Sequence, residues 1–198
     1  MIRRIVLAVG RARVQIVLMM CTYAASVTIG AVMVHAGNEF ALRTGDQIVA
    51  RARTQDPSSL ALAKGHRLRA AAWDFSRNLG LGAIPNTVSG LAVVIPYLTA
   101  TYRGWVGGIV SVDRKHTSRL SDPQERIYYL ATLVLQLIPY SLAGGAGVRL
   151  GLAYLRRHNN PGPRWFGLPL EALRDVLWIY VLVVPLFAIA SLWEFLMR

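Results

Sequence analysis

Four stretches without Asp, Glu, Lys or Arg mark out the chain: Val14 to Val34, Leu79 to Tyr102, Ile127 to Val148 and Val176 to Trp193. A helix rises about 1.5 Å per residue, so roughly 18 to 25 residues cover the ~30 Å hydrocarbon core of a bilayer. A helix also satisfies its backbone hydrogen bonds within one segment, which lipid demands. The pattern therefore predicts an all-α membrane protein: one helical membrane domain over 1–198, with about four transmembrane helices near 14–36, 79–102, 127–150 and 173–196.

Between the first two spans the pattern changes to one-faced helices. Ala41, Leu42, Ile48, Val49 and Ala52 fall near a 3.6-residue period against Arg43, Asp46, Arg51 and Arg53. Asp56-Pro57-Ser58-Ser59 punctuates this stretch. Leu60, Leu62, Leu68, Ala71, Ala72 and Phe75 then alternate with Lys64, His66, Arg67, Arg69 and Arg77. Interfacial amphipathic helices are expected near 40–56 and 58–77, with long cationic side chains reaching to water.

Breakers refine the spans. Pro85, Asn86, Gly90 and Pro96 predict a kinked second span, whose freed carbonyls neighbouring helices must satisfy. Gly104 to Val110 is apolar but too short to cross, and reads as an interfacial turn or re-entrant piece. Asp122-Pro123 is a helix-start signal. The third span ends in small residues from Ala143 to Gly151, including Gly144, Gly145, Gly147 and Gly151, which permit close approach to a neighbouring or partner helix. Asn159-Asn160-Pro161-Gly162-Pro163 is a breaker before the fourth span.

Composition sharpens this picture. Apolar residues make up 54% of the 198, and mean hydropathy is +0.40, more grease than a soluble core of this size needs. The formal net charge is +12. Arginine occurs in every segment between spans, where anionic lipid headgroups attract each cation by roughly 1 kcal/mol. No recognition helix, zinc ligand set or aromatic-basic repeat accompanies the charge, so nucleic acid is not an expected partner. By segment, Lys and Arg number four before the first span, seven in the first loop, five in the second, five around the third and one at the end. Four spans would place ten on one side and twelve on the other. The dense N-terminal cluster then decides for both termini in the cytoplasm. Arg3, Arg4, Arg11 and Arg13 before an apolar run resemble a signal peptide, but the run exceeds a signal core of about 7 to 15 residues, so an uncleaved anchor is expected.

Candidate chemistry is sparse. Cys21 is the one cysteine and lies within the first span. His35, His66, His116 and His158 fall outside or at the ends of spans, none at metal-ligand spacing. No GxSxG, HExxH, phosphate-loop or dinucleotide pattern occurs. The expectation is a non-enzymatic chain with no cofactor and no metal. Arg149 and Glu194, near membrane depth at opposite faces, are expected to snorkel without pairing to each other. Gln136 is the informative polar position, since an amide in hydrocarbon seeks a partner on another helix.

Several of these residues resemble the stage II sporulation protein M family of bacterial membrane proteins. Phe75 and Asn78 are similar to that family's Phe-x-x-Asn lead into its second span. Tyr102-Arg103-Gly104 with Gly108 resembles its Tyr-Asn-Gly with a following glycine, Arg103 standing where the family has asparagine. Gln136-Leu137-Ile138-Pro139 and the run Ala143 to Gly151 are similar to its glutamate-leucine-proline and alanine-glycine-rich segment, with Gln136 in place of glutamate. Ile189-Ala190 and Glu194-Phe195 resemble its C-terminal helix. The resemblance covers about two thirds of the chain and implies a multi-span scaffold of the bacterial cytoplasmic (inner) membrane, the founding member helping to localise peptidoglycan-remodelling partners during engulfment.

Three functions are expected in order. The first is a scaffold or accessory subunit binding other integral membrane proteins through Phe75, Asn78, Gly90, Tyr102, Gly104, Gly108, Gln136, Pro139, the glycine run, Arg149 and Glu194. A variant is a small subunit of a larger respiratory or photosynthetic membrane complex. The last is a channel or transporter component built on broken helices.

Overall fold

A computed structural model describes residues 1–156 and 162–197. It is all-helical apart from one short hairpin. The long helices are α1 (Ile2–His35), α7 (Pro123–Leu155) and α8 (Leu170–Leu196). All three are long and apolar enough to cross a membrane. Between α1 and α7 lie α2 (Glu39–Gln55), α3 (Pro57–Ala63), α4 (Arg67–Arg77), α5 (Ile84–Ser89) and α6 (Ile95–Ile109). The antiparallel strands β1 (Arg164–Trp165) and β2 (Leu168–Pro169) precede α8.

Local chemistry explains most boundaries. The Asp122 side chain accepts from the Glu125 N–H at 2.9 Å, and Pro123 occupies the first turn, where a missing N–H is harmless. Asn38 caps α2 likewise, accepting from the Ala41 N–H at 3.0 Å. Helix α1 starts earlier than the uncharged run, at Ile2, taking in Arg3, Arg4, Arg11 and Arg13. The helix expected over 58–77 is divided into α3 and α4 at Lys64 to His66, because Gly65 adopts φ +78°, which ends a helix in the left-handed region. His158 and the breaker residues 159–161 lie outside the described residues.

The stretch 79–102 is not a continuous helix. After α4 the chain makes a π-helical turn (Asn78–Ala83), α5, and a 3₁₀ turn (Gly90–Ala92) before a break at Val93 and Val94. Val93 has φ +58°, a region that a β-branched residue enters at a cost of roughly 1–3 kcal/mol. Pro96 is the reason a simple kink does not suffice. Its ring would strike the carbonyl of Ala92 in a continuing helix, so it instead serves in the first turn of a new one. Gly104 to Ile109 are likewise not an interfacial turn but the end of α6.

Neighbours on α7 show that the chain reverses at this break. Gly82 lies against Tyr140, Asn86 against Gly144, Thr87 against Ala143 and Gly147, and Gly90 against Gly147 and Gly151. That first arm runs alongside α7 in the same direction. In α6 the order is opposite: Val148 neighbours Tyr97 and Ala100, the Arg103 guanidinium sits 4.1 Å from the Tyr140 ring centroid, and the Tyr129 hydroxyl donates to the Gly107 carbonyl at 2.8 Å. Residues 67–109 are thus a helical hairpin with its tip near Gly147 to Gly151.

Glycines make the hairpin fit. A methyl group on Gly90, Gly147 or Gly151 would overlap the backbone of the facing segment, and one on Gly104 or Gly108 would overlap the α1 backbone at Tyr23 or Val27. The small-residue run expected to receive a partner helix therefore receives this chain's own hairpin and α1. The main apolar cluster forms beside it, with Ile179, Val183 and Phe187 of α8, Tyr140 and Ala143 of α7 and Ala8 and Ala12 of α1.

Gly147→Val should overpack this contact and destabilise the fold by roughly 1–3 kcal/mol or more. Gly10→Ala, where an added methyl meets nothing within 4 Å, should be neutral or stabilising by up to about 1 kcal/mol. Thermal unfolding of both variants in detergent separates the two; equal melting temperatures would contradict the packing described.

Candidate functional site

Two carboxylates are buried in the helical body, and each gathers donors from other elements. Asp175, two turns into α8, is 1% exposed. Its Oδ2 accepts from Arg11 Nε at 2.9 Å and from Arg149 Nε at 3.1 Å and Nη2 at 2.9 Å, while Arg11 Nη2 reaches Oδ1. Arg149 Nη1 also donates to the Arg11 carbonyl at 3.3 Å, and Glu171 stands 3.5 Å from Arg11 Nε. Two guanidiniums therefore meet two carboxylates, and α1, α7 and α8 are joined at one charge-balanced point. Such an anchor is specific because moving any one helix leaves a charge unpaired.

Asp74, on α4, is also 1% exposed. Its Oδ2 accepts from Asn78 Nδ2 at 2.9 Å and from Ser191 Oγ of α8 at 2.8 Å, and its Oδ1 from Arg77 Nη2 at 3.1 Å. Arg77 Nη1 bonds Asp56, ahead of α3, at 2.6 Å. Asn78 then accepts from the Tyr140 hydroxyl of α7 at 2.8 Å, and Arg103 of α6 covers the ring of the same tyrosine. This chain of bonds ties both arms of the hairpin to α7 and α8. The π-helical turn begins at Asn78, where a widened turn sets that amide between Asp74 and Tyr140.

Further polar links repeat the theme. Gln136 Nε2 donates to Glu194 Oε2 at 3.1 Å, and the Tyr128 hydroxyl donates to the Glu194 carbonyl at 2.7 Å, both joining α7 to α8. Thr87 Oγ1 lies 2.9 Å from the Ala143 carbonyl and 2.8 Å from the Tyr180 hydroxyl. Outside the spans, His35 contacts the Ala31 carbonyl and Ser118 Oγ, each at 2.8 Å, and His116 lies 3.1 Å from Asp46. In the same loop, backbone N–H groups of Thr117 and Lys115 hold the Asp113 carboxyl below its ordinary range.

Most residues singled out in the sequence sit at these joints. Asn78 is inside the Asp74 network, and Phe75 packs beside it on the main cluster. Gln136 and Glu194 form one bond, and Arg149 pairs with Asp175 rather than with Glu194. Gly90, Gly104, Gly108, Gly144, Gly145, Gly147 and Gly151 are backbone contact points within the chain. Pro139 is buried inside α7. Tyr102 stands apart, exposed on the outer face of α6. Sequence reasoning missed Asp74, Asp175, Arg11, Ser191 and Tyr140. A helical signal for the first existed, since Asp74, Arg77 and Asn78 share a face at i, i+3 and i+4.

Asp175→Asn removes the charge that holds Arg11 and Arg149 together. Breaking a fully buried pair costs about 3–5 kcal/mol; Arg11 is 38% exposed, so the expected loss is nearer 2–3 kcal/mol. Glu39→Gln breaks an exposed pair with Arg43 and should change stability by less than about 1 kcal/mol. Chemical denaturation in detergent reads both, and similar losses would remove Asp175 from its anchoring role.

Among known proteins, no family model, no curated protein and no solved structure matches this chain.

Proposed function

We propose that the chain is a non-enzymatic integral membrane scaffold or accessory subunit of the bacterial cytoplasmic membrane, similar in role to the stage II sporulation protein M family. The observation that carries this reading is how the buried polar groups are used. Asp74 and Asp175 both accept from side chains on other elements, so each fixes the position of helices relative to one another. A rigid body with apolar outer faces such as Leu98, Val134 and Ile189 is what a platform for other membrane helices requires.

The residues that carry the family resemblance support the same reading. Asn78, Gly104, Gly108, Gln136 and Glu194 each lie at a junction between elements. We place α1, α7 and α8 through the bilayer, and α2 and α3 at its surface. The hairpin of residues 67–109 enters and leaves on one face, which puts the two ends of the chain on opposite sides.

A second reading is favoured by one feature, the hairpin itself. Broken helices with polar groups near their breaks line paths in transporters, so a channel or transporter component is the alternative. Reconstituted flux lost in Gln136→Leu would favour it.

Two measurements test the proposal. In a Cys21→Ala background, cysteines placed at Arg3 and Met197 should react with an impermeant maleimide from opposite sides of oriented vesicles. Reaction from the same side would restore a fourth span. Cross-linking in native membranes followed by mass spectrometry should join outer-face positions to a recurrent set of other integral membrane proteins; cross-links confined to this chain would contradict a scaffold.

A further inference from the structure

Where α8 begins, it leaves beside the N-terminal part of α1 a cavity of about 910 Å³, open on one side. Its charged lining is uneven. Arg11 is committed to Asp175 and Glu171, which also line the space, and Arg149 completes that balanced set. Arg4 and Arg174 remain: both are exposed, and among the described residues neither has a carboxylate partner. Arg4 stands 5.6 Å over the ring of Trp178. The cavity thus carries two cations beyond its internal pairs.

The remaining wall is apolar. Leu7, Leu177 and Val181 line it and are exposed on the outer surface of spanning helices. Tryptophan is the residue that favours the zone between headgroups and hydrocarbon, and Trp178 lies between the charged and greasy parts. Two free guanidiniums beside an apolar channel complement a phosphodiester attached to acyl chains. A free phosphate would use only half of that surface. A zwitterionic lipid would bring its own cation next to Arg4 and Arg174.

We infer that this cavity is a binding site for one anionic glycerophospholipid, its phosphate held by Arg4 and Arg174 and an acyl chain lying along Leu177 and Val181. Arginine suits the phosphate because its fork offers paired donors. The uncapped first turn of α8, which opens on the same space, adds backbone N–H groups of the same polarity.

The test uses the full chain in an uncharged detergent, with phosphatidylglycerol, phosphatidylcholine or inorganic phosphate added separately. Native mass spectrometry and thermal unfolding are the readouts. Phosphatidylglycerol should remain as a one-to-one adduct and raise the melting temperature, whereas phosphatidylcholine and phosphate should do neither. The double variant Arg4→Ala/Arg174→Ala should weaken phosphatidylglycerol binding about tenfold or more, with lipid-free melting unchanged because both side chains are exposed. Leu177→Asn, which keeps both arginines, should also weaken it. Equal binding of phosphatidylcholine, equal stabilisation by phosphate alone, or undiminished binding in either variant would overturn the assignment.

Discussion

The backbone of the hairpin tip touches the backbone of α7, and the rest of the structure depends on that contact. At Gly90, Gly147 and Gly151 there is no room for a side chain on either partner. Close approach of this kind lets dispersion replace the hydrophobic effect, which gives little drive between helices already in lipid. It also leaves the irregular backbone around Val93 covered by protein, the condition under which non-helical chain is tolerated at membrane depth.

Polar bonds then fix what the glycines allow. The Asp74 network holds the wide end of the hairpin to α7 and α8, and the Asp175 cluster locks the opposite end of the bundle through α1, α7 and α8. Buried ion pairs add little net stability over apolar packing, but they penalise every arrangement that separates them. Tight glycine contacts would permit sliding by a turn. The two acids make such a slide expensive, which is consistent with a body whose task is to hold a shape.

Much of this was legible in the chain. Uncharged runs of bilayer length marked α1, α7 and α8, and Asp122-Pro123 marked where α7 starts. Gln136 needed a partner on another helix and has one in Glu194. The hairpin was not legible, because Pro85, Gly90 and Pro96 announce a bend but not its angle. A reversal needs the left-handed Val93, and no local rule places a β-branched residue there. Asp74 and Asp175 were missed for a different reason. Each flanks an uncharged run, where sequence alone reads a solvated end, and the partners that bury them come from as far as 164 positions away.

The reversal between the two arms is the central claim, and a single spectroscopic distance decides it. Leu81 and Tyr102 are both exposed, on opposite arms. With Cys21 replaced by alanine and spin labels at these two positions, double electron–electron resonance reads their separation in lipid. Neighbouring helices stand about 10 Å apart axis to axis, so the folded hairpin predicts a short distance, well below that of an unbroken helix. A continuous helix over the same residues would hold the labels roughly 30 Å apart, and that result would contradict the fold.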